Sequence, residues 1–270
     1  MKQLRITIIF ALLALLSVTA TAQCRFRNTA FKSGEHLAYN LYFNWKFVWV
    51  KVGTAAMNIT QSQYHGQPAY RASLTTKTGK KVDSFFILRD TLLCYSTLDL
   101  APLYYRKGAE EGKHYTVDEV WYKYSDEKIQ ITQSRLKRNG DKNVRTITPD
   151  ECVYDMMNIF LRARSFDPAN WKKGYTVKFP IADGNGTDPA RLRFIGRKTV
   201  KADNGVKYRC LELSYVELSK GKWKEIARFF VTDDNNHVPI RLDMFLKFGS
   251  AKAFLTNMSG VKSPITSLAK

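Results

Sequence analysis

YNLYFNWKFVWVKVG, residues 39–53, places six aromatic side chains in its first eleven positions, in a chain whose overall aromatic content is 13%. Such a density of flat apolar surface serves a packed core, a ligand face or a membrane contact, and the spacing narrows the choice. Leu37, Tyr39, Leu41, Phe43, Trp45, Phe47 and Trp49 fall on one face of an extended chain, with His36, Asn40, Tyr42, Asn44 and Lys46 on the other. That is the period-two pattern of a strand with one apolar side. From Phe47 the second face turns apolar as well, through Val48, Val50 and Val52, as in a strand covered on both sides. Gly53 then interrupts the run, and a glycine inside a strand marks a bulge or bend. The stretch therefore reads as one long strand bent at Gly53, serving two parts of a curved sheet.

The residues ahead of it read as a leader. Lys2 and Arg5 form a positive start, an almost wholly apolar run covers 8–18, and Ala20, Thr21 and Ala22 form an A-x-A cleavage site before Gln23. The apolar run is well short of the roughly 20 residues of a helical membrane span. The alternative, a lipid-modified Cys24, has a poor signal in Thr21, Ala22 and Gln23. The expectation is a signal peptide over 1–22, simple cleavage, and a mature chain without an integral membrane span beyond the inner membrane.

The mature part, 23–270, has room for one large β domain, and its composition of 44% apolar and 25% charged residues is that of a globular protein. The formal charge of +19 falls to +17 without Lys2 and Arg5, an excess that attracts polyanions. Export argues against nucleic acid and leaves lipid phosphates, an anionic envelope polymer or acidic proteins, by contact at the membrane surface or in solution. The bland alternative is a solvated basic surface, since the charges at 77–81, 135–142 and 191–207 are scattered over many segments. Four cysteines follow the leader, Cys24, Cys94, Cys152 and Cys210, at wide spacings that match neither a stapled scaffold nor a zinc site. Three pairings stay open; Cys94 and Cys210 sit in strand-like runs where cysteine acts as a small buried apolar residue, and the expectation is no structural disulfide.

Period-two runs bounded by turn residues recur at 70–76, 85–93, 115–124, 128–137, 175–181, 191–200, 207–216, 224–231 and 237–246. Asn139-Gly140 and Asn204-Gly205 have the chemistry of type I′ hairpin turns, so the strands read as antiparallel. One helix stands out: Thr148, Pro149, Asp150 and Glu151 read as a capping box with proline at the first helical position. Val153, Met156, Met157, Phe160 and Leu161 form an apolar stripe. The expected fold is mainly β, with long antiparallel strands in strongly curved sheets, like a half-barrel or β-roll, and one amphipathic helix near 149–164. That helix joins two β-rich parts of a single domain. A faint echo links the parts, Asp99-Leu100-Ala101-Pro102-Leu103 in the first and Asp234 through His237-Val238-Pro239-Ile240 in the second.

Several segments occur in a characteristic order: Gly34-Glu35-x-Leu37-x-Tyr39, Val52-Gly53-Thr54-Ala55, Arg89-Asp90, Leu100-x-Pro102-Leu103, Glu111-Gly112, the segment 150–162, and Gly249-Ser250 followed by Ala253. Together they resemble the domain-of-unknown-function 3108 family of exported bacterial proteins. The resemblance implies a β-rich fold and a place in the periplasm or outer envelope of a Gram-negative bacterium, and it brings no catalytic residues with it. The long strands around one helix are also similar in architecture to the half-barrel of periplasmic lipoprotein carriers and lipid-binding envelope proteins.

The residues offer little to an enzyme. His36, His65, His114 and His237 are far apart, and no metal-ligand spacing, nucleophile elbow, P-loop or dinucleotide fingerprint occurs. His114, near Glu111, is the best acid/base candidate, and an exposed loop histidine is its simpler reading. Asp183-Gly184-Asn185-Gly186-Thr187-Asp188 has alternate oxygen donors but lacks the distal glutamate of a calcium loop. No catalytic residue, metal or cofactor is assigned. The first functional reading is a non-catalytic binder or carrier that holds a lipophilic or anionic ligand with Tyr39, Phe43, Trp45, Phe47, Trp49, Met156 and Met157. The second is a structural or assembly factor with a packed core and a basic docking surface; an unrecognised hydrolase is third.

Overall fold

The computed structural model describes residues 24–45, 48–125, 128–246 and 249–270, so the leader at 1–22 lies outside the described residues. Among the described residues, fifteen strands and two short helices follow one another. The first eight strands are β1 (Glu35–Trp45), β2 (Val48–Tyr64), β3 (Gln67–Thr78), β4 (Leu88–Thr97), β5 (Pro102–Glu111), β6 (His114–Tyr124), β7 (Ile129–Lys137) and β8 (Lys142–Ile147). The short helix α1 (Lys80–Asp83) lies between β3 and β4, and α2 (Met156–Ala163) lies between the two β parts. The second part comprises β9 (Thr176–Ala182), β10 (Thr187–Lys201), β11 (Lys207–Ser219), β12 (Lys222–Thr232), β13 (Pro239–Leu246), β14 (Gly249–Ser259) and the two-residue β15 (Leu268–Ala269).

All belong to one antiparallel sheet in the order β8-β7-β6-β5-β4-β3-β2-β1-β14-β13-β12-β11-β10-β9, with β15 on β11. Each part is a meander, and the β1·β14 pair fuses them into one body. The sheet is open, with β8 and β9 as its edges, but curvature brings the wings into contact. Gln133 donates to Thr187 Oγ1 at 2.9 Å, and Arg135, paired with Asp118 at 2.5 Å, also reaches Asp183 at 3.3 Å. A Cβ on Gly184 (φ +89°) would lie 2.7 Å from Asp118 Cβ, so the 183–186 turn needs glycine to pack on β6.

The decisive stretch 39–53 folds differently from its one-strand reading. Trp45 of β1 pairs with Val48 of β2, so the chain reverses there and forms a hairpin. Gly53 does sit at an irregularity, since Leu41 pairs with Gly53 but Tyr42 pairs with Lys51, leaving Val52 as a bulge. Its lack of a side chain serves close approach: a Cβ there would stand 2.1 Å from the Lys77 carbonyl oxygen.

The two Asn-Gly hairpins also differ from expectation. Only Gly140 (φ +89°) and Gly205 (φ +87°) take positive φ in them. Gly140 N–H donates to Lys137 O and Gly205 N–H to Ala202 O, at 3.0 and 3.1 Å. Each is therefore a type I turn closed by a glycine bulge. The echo between Asp99 and Asp234 proves to be a shared hydrogen-bond pattern. Thr97 and Thr232 each donate a hydroxyl to the aspartate two residues on, accept the N–H of the residue before the proline, and donate their own N–H to its carbonyl. Leu100 (φ 58°) and His237 (φ 43°) provide the same left-handed kink two residues before each proline.

The helix starts later than the capping box implied. Thr148, Pro149, Asp150 and Glu151 lie outside it, because Tyr154 commits its backbone to β9: its N–H donates to Pro180 O at 3.1 Å and its carbonyl accepts from Ala182 N–H at 2.7 Å. Asp155 caps α2 instead, accepting the N–H groups of Met157 and Asn158 at 3.0 and 2.8 Å. The helix packs on β4 and β5. It buries Met157, Asn158, Ile159 and Leu161 but exposes Met156.

Expectation fails at the cysteines as well. Cys24 and Cys152 form a disulfide with Cα atoms 5.4 Å apart across 128 residues, while Cys94 and Cys210 are free and buried. The bond ties the N-terminal strap to the chain entering α2, and Arg162 holds the same place, donating to Cys24 O at 3.0 Å and stacking over Phe26.

Candidate functional site

The hairpin decides where the aromatic residues go. Directly paired residues of neighbouring antiparallel strands share a face, and Trp49 pairs with Asn44 while Lys51 pairs with Tyr42. Trp49 thus sits with the polar face of β1, whereas a single strand would have put it beside Tyr39. On β14, Lys252 pairs with Tyr42 and Phe254 with Asn40, extending that face.

The turn between β10 and β11 folds over this surface. Asp203 accepts the Tyr42 hydroxyl at 2.8 Å and an Asn40 amide hydrogen, and its own N–H donates to Leu255 O at 2.9 Å. Tyr42, Trp49, Lys201, Ala202, Asp203, Lys252 and Phe254 line the open concavity that results, of about 340 Å³. Lys252 Nζ lies 3.8 Å from the Trp49 ring centroid and Tyr42 meets Phe254 edge to face at 5.7 Å. Partial burial, aided by nearby Arg241, lowers the Lys252 ammonium below the usual lysine range. The hydrogen bond to Asp203, then burial, raises the Tyr42 phenol.

Beyond the groove the same surface continues as alternating cations and rings. Arg241 stands between Phe254 and Phe230, at 5.2 and 5.0 Å, and Lys198 lies 5.9 Å from Phe230. Arg241 is neutralised by Asp243 at 2.6 and 2.5 Å, which leaves Lys201 and Lys252 as the cations facing the concavity. Such a set has apolar ring faces for a hydrocarbon body and ammonium groups for an anionic end.

The seven residues expected at a ligand face separate. Tyr39 is buried and donates its hydroxyl to Pro239 O at 3.0 Å. Met157 is buried in the same core, Met156 is exposed, and Phe43 is half-buried near Gly249. Trp45 ends β1 with its side chain outside the described atoms, and Phe47 lies outside the described residues. Among the described residues, Trp49 alone of the seven lines the groove. Tyr42, Lys252, Phe254 and Asp203 were missed, and the alternation itself held the signal for Tyr42, an aromatic on a strand's polar face.

A second concavity, of about 560 Å³, lies beside Ser165, Arg197, Asp233, Asp234 and His237. Its polar groups are occupied in holding the fold. Asp234 accepts from Thr232 and Ser267 hydroxyls at 2.8 and 2.7 Å, Asp233 pairs with Arg197 at 3.0 Å, and His237 Nδ1 donates to Arg164 O at 2.5 Å. Burial lowers the His237 pKa, which keeps the ring neutral. Beneath it Arg164 and Glu35 form a fully buried pair at 2.5 and 2.9 Å, and Arg164 also donates to Asn236 O at 3.0 Å. His114 is exposed at the start of β6, and Asp183 accepts the N–H groups of Asn185 and Gly186 at 2.8 Å, so it braces its own turn. Among the described residues no group of three His, Cys, Asp or Glu could hold a metal, and no helix is long and apolar enough to cross a membrane.

The chain is similar in fold to a β-barrel-like protein of the domain of unknown function DUF1849 from Brucella abortus, with a TM-score of 0.55 and 10% identity over 88% of this chain and 100% of that one. A candidate lipoprotein from Parabacteroides distasonis ATCC 8503 also matches 88% of this chain and 100% of its own, at 10% identity and a TM-score of 0.36. No curated protein matches the sequence significantly. Residues 38–256 match the family described as protein of unknown function, DUF3108, and the chain belongs to that family.

Proposed function

We propose that the protein is a non-catalytic component of the cell envelope that binds an amphipathic anion in the groove between β1, β2, β14 and the 201–203 turn. The observation that carries the reading is the meeting of Trp49, Tyr42 and Phe254 with Lys201 and Lys252 in one open concavity. Rings bury an acyl or aromatic body, and the ammonium groups meet a phosphate or carboxylate at its end. Export to the periplasm is supported by the leader-like residues 1–22 and by the Cys24–Cys152 bond, a linkage that persists in oxidising compartments. A sulfur engaged in that bond cannot also carry a lipid thioether, so the reading takes a cleaved leader and no lipid on Cys24.

A second reading, the assembly factor, draws support from the packing of Tyr39, Met157, Leu37, Leu41 and Leu255 in the core. The two part on one experiment. A lipid extract of the purified protein, read by mass spectrometry, should contain one amphiphilic anion per chain. Trp49→Ala with Lys252→Glu should remove it and melt with the delipidated wild type. An extract empty in the wild type, with no change in tryptophan fluorescence on adding dodecyl phosphate, would leave the assembly factor.

A further inference from the structure

In an antiparallel meander every second connection emerges at the same end of the sheet. The β1–β2, β3–β4 and β13–β14 connections share one end, and the strand order β4-β3-β2-β1-β14-β13 makes them neighbours there. They are tied together: Gly79 N–H donates to Val52 O at 2.9 Å, and Gly249 lies so close to Phe43 that an added Cβ would stand 2.9 Å from its ring. This rim carries the two most exposed large apolar side chains among the described residues. Phe85 is 91% exposed and Val48 62%, and Phe86, Val50, Leu246 and Phe245 are exposed as well. Two of these, Phe85 and Phe86, come from the nine-residue connection that contains α1, where no strand alternation dictates an outward ring.

Cations predominate around them, and the nearby carboxylates of Glu110 and Glu111 are each in an ion pair, with Arg138 and Lys107, at 3.5 Å. Lys51, Lys77, Lys80 and Lys81 are exposed, and among the described residues none is in an ion pair. The acidic residue of the β3–β4 connection, Asp83, is taken up by Arg89 at 3.1 and 2.5 Å and by the Thr78 hydroxyl at 2.5 Å. We propose that this rim docks on the surface of a bilayer rich in anionic lipid, with Phe85, Phe86 and the 48–50 tip entering the headgroup layer and the four lysines meeting lipid phosphates. Aromatic and aliphatic tips settle at the water–hydrocarbon boundary, and lysines near an anionic surface add an attraction that salt screens. A soluble acidic protein would satisfy the lysines but leave protruding phenylalanines without a pocket, whereas a headgroup layer accepts both.

The 48–50 tip includes Trp49 of the groove, but the test is independent of the groove ligand, because Phe85, Lys80 and Lys81 lie outside it. Co-sedimentation is measured with vesicles of phosphatidylcholine alone and of phosphatidylcholine with one quarter phosphatidylglycerol. The wild type should bind the anionic vesicles and lose binding as salt rises. Phe85→Ser, and separately Lys80→Glu with Lys81→Glu, should each weaken binding about tenfold or more while leaving the melting temperature unchanged. The proposal is overturned if the wild type ignores anionic vesicles at low salt, or if both variants bind as the wild type does. It is overturned too if the protein proves a dimer in solution that Phe85→Ser dissociates, which would give the rim to a second copy.

Discussion

Replacing Cys24 and Cys152 with serine together tests the strap, the redox compartment and the fate of Cys24 at once. The bond closes a loop with a sequence separation of 128. Loop-closure entropy for about that many residues amounts to roughly 17 cal/mol/K, or about 5 kcal/mol at 25 °C, nearly all of it acting on the unfolded chain. Urea unfolding should show a loss of that order and a larger m-value, because the released unfolded chain exposes more surface. The companion assay is a thiol count on denatured, unreduced wild type, which should give two free thiols, Cys94 and Cys210. In the folded protein both should resist thiol reagents, since burial holds the Cys94 thiol well above its usual range and pushes Cys210 up to about 12. Four free thiols, a lipid adduct on Cys24 in the intact mass, or a stability loss under about 1 kcal/mol would refute the reasoning.

Arg164→Met should cost about 3–5 kcal/mol in thermal unfolding, because it leaves the Glu35 carboxylate buried without its cation; adding Glu35→Leu should recover part of the loss. Asp155 is fully buried and its pKa is pushed up to about 6. A carboxyl raised above its unfolded value of about 3.9 holds its proton more tightly in the folded chain, so its contribution is greatest below about pH 4 and declines as pH rises through 6, by about 3 kcal/mol. Asp155→Asn should flatten that part of the stability profile between pH 4 and 7 and leave the slope from Asp90, also raised to about 6 by burial. Gly53→Ala should destabilise by about 2 kcal/mol or more, measured by urea unfolding, since its Cβ would stand 2.1 Å from the Lys77 carbonyl and force β2 from β3.

The fold was legible where period two survives in the sequence and illegible where a turn carries no turn residue. Most strands announced themselves by alternation. The β1–β2 reversal falls at Lys46-Phe47, which has no glycine, proline or asparagine, so it read as continuous strand. Its trace was present: the second face turned apolar just after Phe47, as expected when a new strand changes which parity points inward. Strand β14 and the 54–64 part of β2 escaped notice, and β5 and β8 were implied only by Pro102 and the Asn139-Gly140 hairpin, because charges or small residues blunt their alternation. The helix start was misread for a different reason, since a capping box is a local signal and the backbone at Tyr154 was claimed by a strand distant in sequence. The disulfide and the groove depend on long-range contacts, which spacing does not encode. Asp203 meets Tyr42 across 161 residues.

The two ends of the sheet are built differently. At the end bearing the Thr97 and Thr232 turns, the chain is cross-tied. Phe26 N–H donates to Asp99 O at 2.5 Å and Arg25 pairs with Asp99 at 3.3 Å. Thr29 N–H donates to Ser165 Oγ at 3.1 Å, and Arg164 in turn holds Asn236 and His237 of the second turn. One N-terminal strap, anchored by Cys24 to Cys152, therefore links both halves of the meander and the end of α2. The opposite end, which carries Phe85 and the Val48 tip, presents the two most exposed large apolar side chains among the described residues to water. Stability concentrated at one end frees the other to expose surface that a core would otherwise claim. If the strap carries that burden, the Cys24→Ser, Cys152→Ser protein should unfold more easily and still bind anionic vesicles below its melting temperature. Loss of both together in a folded variant would mean that the rim and the strap are one cooperative unit.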